Sequence, residues 1–198
     1  LAGEIYNDDE GVKLTLCGPR EQIEKFEKAL HGGLPSLARI DEMRKTELVD
    51  AKFDDFRIVA SKSAKKHAPI LPDFALCADC EREFYDPADP RYHYPFINCT
   101  NCGPRFSIIK SLPYDRANTT MSAFKMCEFC GGEYKNPLNR RYHAQPVSCP
   151  NCGPRLVLKD KFGRVLAQDN ESSKQAAHLI NEGIILAVKG LGGFHLMC

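Results

Sequence analysis

Four Cys-x-x-Cys pairs, Cys77/Cys80, Cys99/Cys102, Cys127/Cys130 and Cys149/Cys152, constrain this chain more than any other feature. Eighteen residues separate the two pairs of each half, and the second half repeats the first at an offset of fifty, so that Cys77 recurs as Cys127 and Cys102 as Cys152. The segment is a duplicated module. One Cys-x-x-Cys hairpin offers two sulfurs to a metal from a tight turn, and two hairpins complete the tetrahedral sulfur set that zinc favours. Iron–sulfur proteins space their cysteines differently, so the expected ions are two structural zincs held by these eight residues. Disulfides are the alternative reading. Cysteines concentrated in one segment, with no visible signal peptide, instead point to a reduced, cytoplasmic setting. Equal spacers favour consecutive pairs sharing an ion, with crossed ligation as the other arrangement.

The repeat extends past the sulfurs. Arg91-Tyr92-His93 recurs as Arg141-Tyr142-His143, and both second knuckles end in Cys-Gly-Pro-Arg, at Arg105 and Arg155. Glycine there allows a positive φ and proline fixes the exit of the turn. Arg105 and Arg155 are expected to offset the negative charge of the thiolates. His93 and His143 read as packing groups, because each site already has four sulfurs. Residues 95–98, 106–109 and 156–158 look like short strands around the second knuckles. Halves this small bury too little apolar surface to fold unaided. Zinc, worth on the order of 10–16 kcal/mol in finger peptides, supplies the difference, and losing one cysteine is expected to unfold its own half.

With 198 residues and a net charge of +1, the chain has room for one or two domains and lacks the charge excess of a nucleic-acid polyelectrolyte partner. No apolar run approaches the length of a membrane span. The first sixty or so residues alternate as a small α+β unit. A strand at 2–6, turn chemistry from Asn7 to Gly11, and a returning strand with Val12, Leu14 and Leu16 inward make a hairpin. Gly18-Pro19 then opens a helix with Ile23, Phe26 and Leu30 on one face, and Gly32-Gly33 ends it. Strands at 39–49 and 56–60 complete a β-β-α-β-β order, a ferredoxin-like sheet lacking its first strand and helix. The expected domains are 1–61, a basic linker at 62–68, the tandem finger domain at 69–160, and 161–198.

In that last segment residues 162–166 can form a hairpin, and Ser172 or Ser173 can cap a helix that carries Ala176, Leu179 and Ile180 and stops at Gly183. The apolar run 184–188 reads as a strand buried on both faces. It leads into Lys189-Gly190-Leu191-Gly192-Gly193-Phe194-His195. Such a turn can cradle phosphate through Lys189, Gly190, Gly192 and Gly193, or can simply lead into the next strand.

Gly3-Glu4-Ile5-Tyr6-Asn7, Leu16-Cys17-Gly18-Pro19 and Leu37-Ala38-Arg39-Ile40-Asp41 resemble acylphosphatase-like domains. The resemblance implies that Asn7 orients the attacking water, while the arginine-bearing phosphate loop of that family would lie upstream of Leu1. Asn7 as a plain turn residue is the competing reading. Taken in order, the acylphosphatase-like unit, the fingers with Tyr94-Pro95-Phe96-Ile97-Asn98-Cys99-Thr100-Asn101-Cys102-Gly103-Pro104-Arg105-Phe106, and the 189–195 turn closely resemble the hydrogenase-maturation carbamoyltransferases of the HypF family. That resemblance implies a relay. Carbamate is released from carbamoyl phosphate, joined to AMP from ATP with magnesium in a YrdC-like domain that opens at 161–198, and passed to the C-terminal cysteine of HypE as the precursor of the hydrogenase cyanide ligands. It also implies that most of the enzyme lies beyond Cys198. Two other classes compete: a zinc module that binds nucleic acid or a partner through its knuckle arginines, and a chaperone-like zinc domain, whose glycine-rich consensus differs from Cys-Gly-Pro-Arg.

Overall fold

The computed structural model describes residues 1–8, 11–34, 37–49, 51–59 and 71–198, with backbone alone at Asn7. It divides into two units, Leu1–Pro69 and Ile70–Cys198. The linker expected at 62–68 lies outside the described residues. Among those described, no helix is long and apolar enough to cross a membrane.

The fold is α+β. In the first unit β1 (Ala2–Asp8) and β2 (Gly11–Cys17) form an antiparallel hairpin in the register Ala2↔Cys17 to Asp8↔Gly11. The turn closes as the Gly11 amide donates to Asp8 Oδ1 at 3.1 Å. Helix α1 (Arg20–Gly32) then carries the chain to β3 (Phe56–Ile58), which pairs parallel to β1, giving the strand order β2-β1-β3. Ile23, Phe26 and Leu30 form the half-buried stripe of α1. Gly3 is buried at the centre of the sheet with φ +153°, and a Cβ there would lie 1.9 Å from the Thr15 carbonyl oxygen.

The strand expected at 39–49 does not form. Its apolar residues, Ile40, Met43, Leu48 and Val49, lack the period of two that a half-buried strand requires. Its charges pair locally instead, Arg39 with Asp41 and Arg44 with Glu42, while Lys45 reaches Glu27 on α1. Asn7 and Asp8, expected in the turn, are paired strand residues.

In the second unit the repeat is built twice. Helix α2 (Ala78–Tyr85) starts directly after Cys77, and α3 (Glu128–Lys135) directly after Cys127. Each is followed by the same chain of turns: the His93 amide donates to Phe84 O at 2.9 Å and that of His143 to Tyr134 O at 3.0 Å, both histidines at φ 53°. Two expected strands are absent. Residues 95–98 turn back, with the Ile97 amide on Tyr94 O and Asn98 Nδ2 on Phe96 O, and Phe106–Ile108 is a short 3-10 helix. Only the third expected strand forms, as β4 (Val157–Lys159), which pairs with β5 (Val165–Gln168) in the hairpin anticipated around residues 162–166.

Helix α4 (Asp169–Asn181) starts earlier than a cap at Ser172 or Ser173 would allow. Asp169 and Glu171 supply the acidic first turn that a helix N-terminus favours, while the Ser172 hydroxyl donates to Leu156 O. The apolar run that follows yields β6 (Leu186–Lys189), paired with β7 (Phe194–Met197) in a two-stranded sheet. Among the described residues it is not buried on both faces: β7 is its strand neighbour, α4 packs on it, and Ile185 stays 65% exposed.

Gly3 gives a direct test of the first unit. Gly3→Ala is expected to destabilise it by about 1–3 kcal/mol, since the new Cβ meets backbone at a φ that L-residues avoid. Gly32→Ala, with open space around its Cβ position, should stabilise by about 0.5–1 kcal/mol. Denaturant unfolding of both variants reads the difference.

Candidate metal centres

The two Cys-x-x-Cys pairs of each centre sit on different local structure. The first cysteine of the first pair precedes a helix and the second falls in its first turn, so Cys80 and Cys130 lie where the helix dipole favours a thiolate. The second pair sits on a tight turn, in which the Asn101 amide donates to Cys99 Sγ at 3.3 Å. Sulfurs of Cys77, Cys80, Cys99 and Cys102 lie within 4.8 Å of one another, and so do those of Cys127, Cys130, Cys149 and Cys152. The grouping is of consecutive pairs.

The donor set can be tested against geometry. A tetrahedron with zinc–sulfur bonds of about 2.3 Å has sulfur–sulfur edges of about 3.8 Å. Here Cys77–Cys99 is 3.7 Å, Cys99–Cys102 3.8 Å, Cys127–Cys149 3.7 Å, Cys149–Cys152 3.7 Å and Cys130–Cys152 3.6 Å. These are edges of a metal site, far longer than the ~2.05 Å of a disulfide. Both four-cysteine groups fit a structural zinc ion. As thiols the four cannot ionise together: Cys99 is driven down because Cys102 and Cys80 donate to it, and Cys80 is driven up by its contacts with Cys102 and Cys99 and by burial. A divalent cation at the centre reverses that conflict, since coordination deprotonates every thiol.

The arginines that touch sulfur are not those expected. Arg105 is buried, but its guanidinium donates to four carbonyls of its own knuckle, Cys99 at 3.0 Å, Thr100 at 2.9 Å, Cys102 at 3.2 Å and Pro104 at 2.9 Å. Asp73 holds the exit, accepting from the amides of Arg105 and Ser107 and from the Ser107 hydroxyl. Burial opposes ionisation of Asp73, yet the Ser107 hydroxyl and those amides outweigh it and leave the carboxyl below its ordinary range. Arg155, the counterpart of Arg105, is exposed and merely approaches Asp169 at 3.4 Å.

Sulfur is reached instead from across the repeat. Arg91 Nη2 donates to Cys130 Sγ at 3.4 Å, Arg140 Nη1 to Cys80 Sγ at 3.0 Å, and Arg141 Nη2 lies 4.0 Å from Cys80 Sγ. Glu133 pairs with Arg91 and Arg141, and Glu83 with Arg140 and Arg141. The sequence held a signal for this set, because Glu83/Glu133 and Arg91/Arg141 both repeat at the offset of fifty.

The two glycines of Cys-Gly-Pro-Arg also differ. Gly103 has φ +91°. Gly153 lacks a positive φ and is required for space, since a Cβ would lie 2.1 Å from the Tyr94 hydroxyl. That hydroxyl donates to Pro154 O at 3.1 Å, and burial pushes its pKa up to about 12. His93 and His143 belong to neither sulfur group and stack on aromatic rings, His93 on Tyr92 at 3.9 Å and His143 on Tyr134 at 4.9 Å between centroids.

The remaining site residues are dispersed. Asn7 lies in β1 opposite Val12, and its side chain is outside the described residues. Lys189 and Gly190–Gly193 form the β6–β7 turn, closed by the Gly190 amide on Gly193 O at 2.7 Å, while Lys189 Nζ folds back onto Gly190 O at 2.9 Å.

These units define a class: an acylphosphatase domain joined to a pair of four-cysteine fingers. Residues 1–58 match the acylphosphatase family, and residues 76–109 and 126–158 each match the HypF finger. The chain belongs to the HypF family. It is 49% identical to the carbamoyltransferase HypF of Synechocystis sp. over 198 residues, all of this chain and 26% of that one. The carbamoyltransferase HypF of Rhizobium leguminosarum bv. viciae is also 49% identical over 198 residues, all of this chain and 24% of that one. Full-length HypF in its phosphate- and nucleotide-bound form superposes with a TM-score of 0.83 at 44% identity, over 98% of this chain and 25% of that one. T. kodakarensis HypF gives 0.78 at 46% identity, over 99% and 24%. The chain thus spans about a quarter of the length of the relatives it matches.

Equal motifs with unequal contacts give the test here. Arg105→Ala strands four carbonyls and should cost about 1–3 kcal/mol of finger stability. Arg105→Lys should recover little, because an ammonium lacks the planar fork. Arg155→Ala should change stability by less than about 1 kcal/mol. Thermal unfolding at fixed zinc concentration compares the three.

Proposed function

We propose that the complete protein is a cytoplasmic carbamoyltransferase. It uses carbamoyl phosphate and ATP, with magnesium, to carbamoylate the C-terminal cysteine of HypE, from which the cyanide ligands of nickel–iron hydrogenase are made. Identity near one half along the whole chain to proteins named carbamoyltransferase HypF carries this reading. Residues 1–61 act as the acylphosphatase-like domain, 62–68 as a linker, 69–160 as the finger domain, and 161–198 as a linker and the start of a YrdC-like nucleotide-binding domain.

Within this chain Asn7 is the catalytic residue, orienting the water that attacks carbamoyl phosphate. Its backbone supports the assignment, because Asn7 is a paired strand position rather than part of the turn. Lys189, Gly190, Gly192 and Gly193 offer amides and a cation to nucleotide phosphate. Cys77, Cys80, Cys99 and Cys102 hold one zinc and Cys127, Cys130, Cys149 and Cys152 the other. Zinc with four thiolates has no open position, so it supplies folding energy and not Lewis-acid catalysis. Carbamate is short-lived in water, and a rigid finger domain suits a protein that must shelter it between sites. Of the two knuckle arginines on which the rival nucleic-acid reading rests, Arg105 is buried on its own carbonyls and Arg155 alone is exposed, a small footprint for a phosphate backbone.

Elemental analysis of the complete protein, purified without added metal, should find two zinc ions per chain; iron in their place would sink the zinc assignment. In the same protein Asn7→Ala should slow carbamoyl phosphate turnover on the order of a hundredfold, because water orientation is lost. Carbamate supplied directly should then partly restore ATP consumption. Turnover at the parent rate would remove Asn7 from catalysis.

A further inference from the structure

We infer that each metal site is held together by an arginine from the other half of the repeat, so that the two sites behave as one coupled unit. The inference rests on the zinc reading above. Its evidence is the way Arg91 and Arg141 span the knuckles. Arg91, in the first half, donates from Nη2 to Cys130 Sγ at 3.4 Å and from Nε to Ser148 O at 2.8 Å. Ser148 directly precedes Cys149. One guanidinium therefore ties the Cys127/Cys130 knuckle to the Cys149/Cys152 knuckle, both belonging to the second site.

Arg141 repeats the arrangement in the opposite direction. Its Nε donates to Asn98 O at 3.0 Å, next to Cys99, while Nη2 pairs with Glu83 on α2 and lies 4.0 Å from Cys80 Sγ. It ties the two knuckles of the first site. Neither arginine touches a sulfur of its own half in these contacts. Both are buried, Arg91 at 1% exposure and Arg141 at 3%, so each needs anionic partners within the unit. A single carboxylate links them: Glu133 Oε1 accepts from Arg91 Nη1 at 3.3 Å and from Arg141 Nη1 at 3.2 Å. Loss of metal from one site would leave its arginine without a thiolate partner, and Glu133 transmits the rearrangement to the other arginine. Arg91 and Arg141 are positioning residues acting in trans.

This inference stands against the expectation that losing one cysteine unfolds its own half alone. The test uses the complete protein, challenged with a zinc chelator while freed thiols are pulse-alkylated and located by mass spectrometry. Arg91→Lys should make Cys127, Cys130, Cys149 and Cys152 reactive roughly tenfold or more sooner than in the parent, in line with the effect of groups that orient metal ligands. Cys77, Cys80, Cys99 and Cys102 should respond less. Arg141→Lys should give the mirror image, and Glu133→Gln should speed both sets. A variant that purifies with fewer than two zinc answers the same question, because alkylation then identifies which site is empty. Labelling confined to the substituted half, or parent rates for both arginine variants, overturns the inference while leaving the zinc reading standing. A parent protein without two zinc ions overturns that reading itself.

Discussion

Eight thiolates drawn into two tetrahedra carry more negative charge than a unit this small can bury unless cations lie against them. Each zinc with four thiolates keeps a net double negative charge, and an unpaired buried charge is among the most destabilising features a fold can carry. The second unit answers with three arginines, Arg91, Arg140 and Arg141, set against the sulfurs from across the repeat. The glutamates that pair with them, Glu83 and Glu133, belong to the helices that carry Cys80 and Cys130. Helix, knuckle and arginine are therefore fixed together. The apolar part of this core is thin: Tyr94 and Ile97 close around Cys80, Cys99 and Cys102, with Phe84 and Phe96 half-buried beside them.

What the sequence made legible follows from how local each determinant is. Cysteine pairs and their spacers are local; equal spacing between Cys80/Cys99 and Cys130/Cys149 favoured consecutive ligation but left crossed ligation open, and the grouping of the sulfurs is consecutive. The acylphosphatase hairpin and α1 were legible for the same reason, through Asn7 to Gly11 and Gly18-Pro19. Arg105 and Arg155 were misread because a motif records chain neighbours and not spatial ones. Their identical flanks fold next to Asp73 in one case and beside α4 in the other. Arg91 and Arg141 sit in the Arg-Tyr-His repeat, but nothing in a one-dimensional pattern says that a repeated side chain crosses to the other copy.

Missed elements share a different cause. At 39–49 six of the eleven residues are charged and the apolar ones lack strand periodicity, so local ion pairs form where a ladder was expected. At 106–108 the chain exits a knuckle whose carbonyls are held by Arg105, which favours a tight 3-10 turn over an extended strand. For α2 and α3 the signal was present, an acidic residue just after the first cysteine of each pair, but eight-residue helices of this kind take their stability from tertiary contacts rather than from propensity.

Duplication explains both the likeness of the two halves and their divergence. A single fifty-residue copy would contain Arg91 without the Glu133, Ser148 and Cys130 that accept from it here. The exchange seen here therefore needs both copies, while positions outside it differ between them. Arg140 has Pro90 at its equivalent position, and Tyr94, whose hydroxyl crosses to Pro154, has Ala144. The first site consequently has two arginines at Cys80 where the second has one at Cys130. The first also has three fully buried sulfur ligands, whereas Cys152 of the second is only half-buried. Among the arginines that donate to sulfur, the second site therefore relies on the single one that the first half lends it, Arg91.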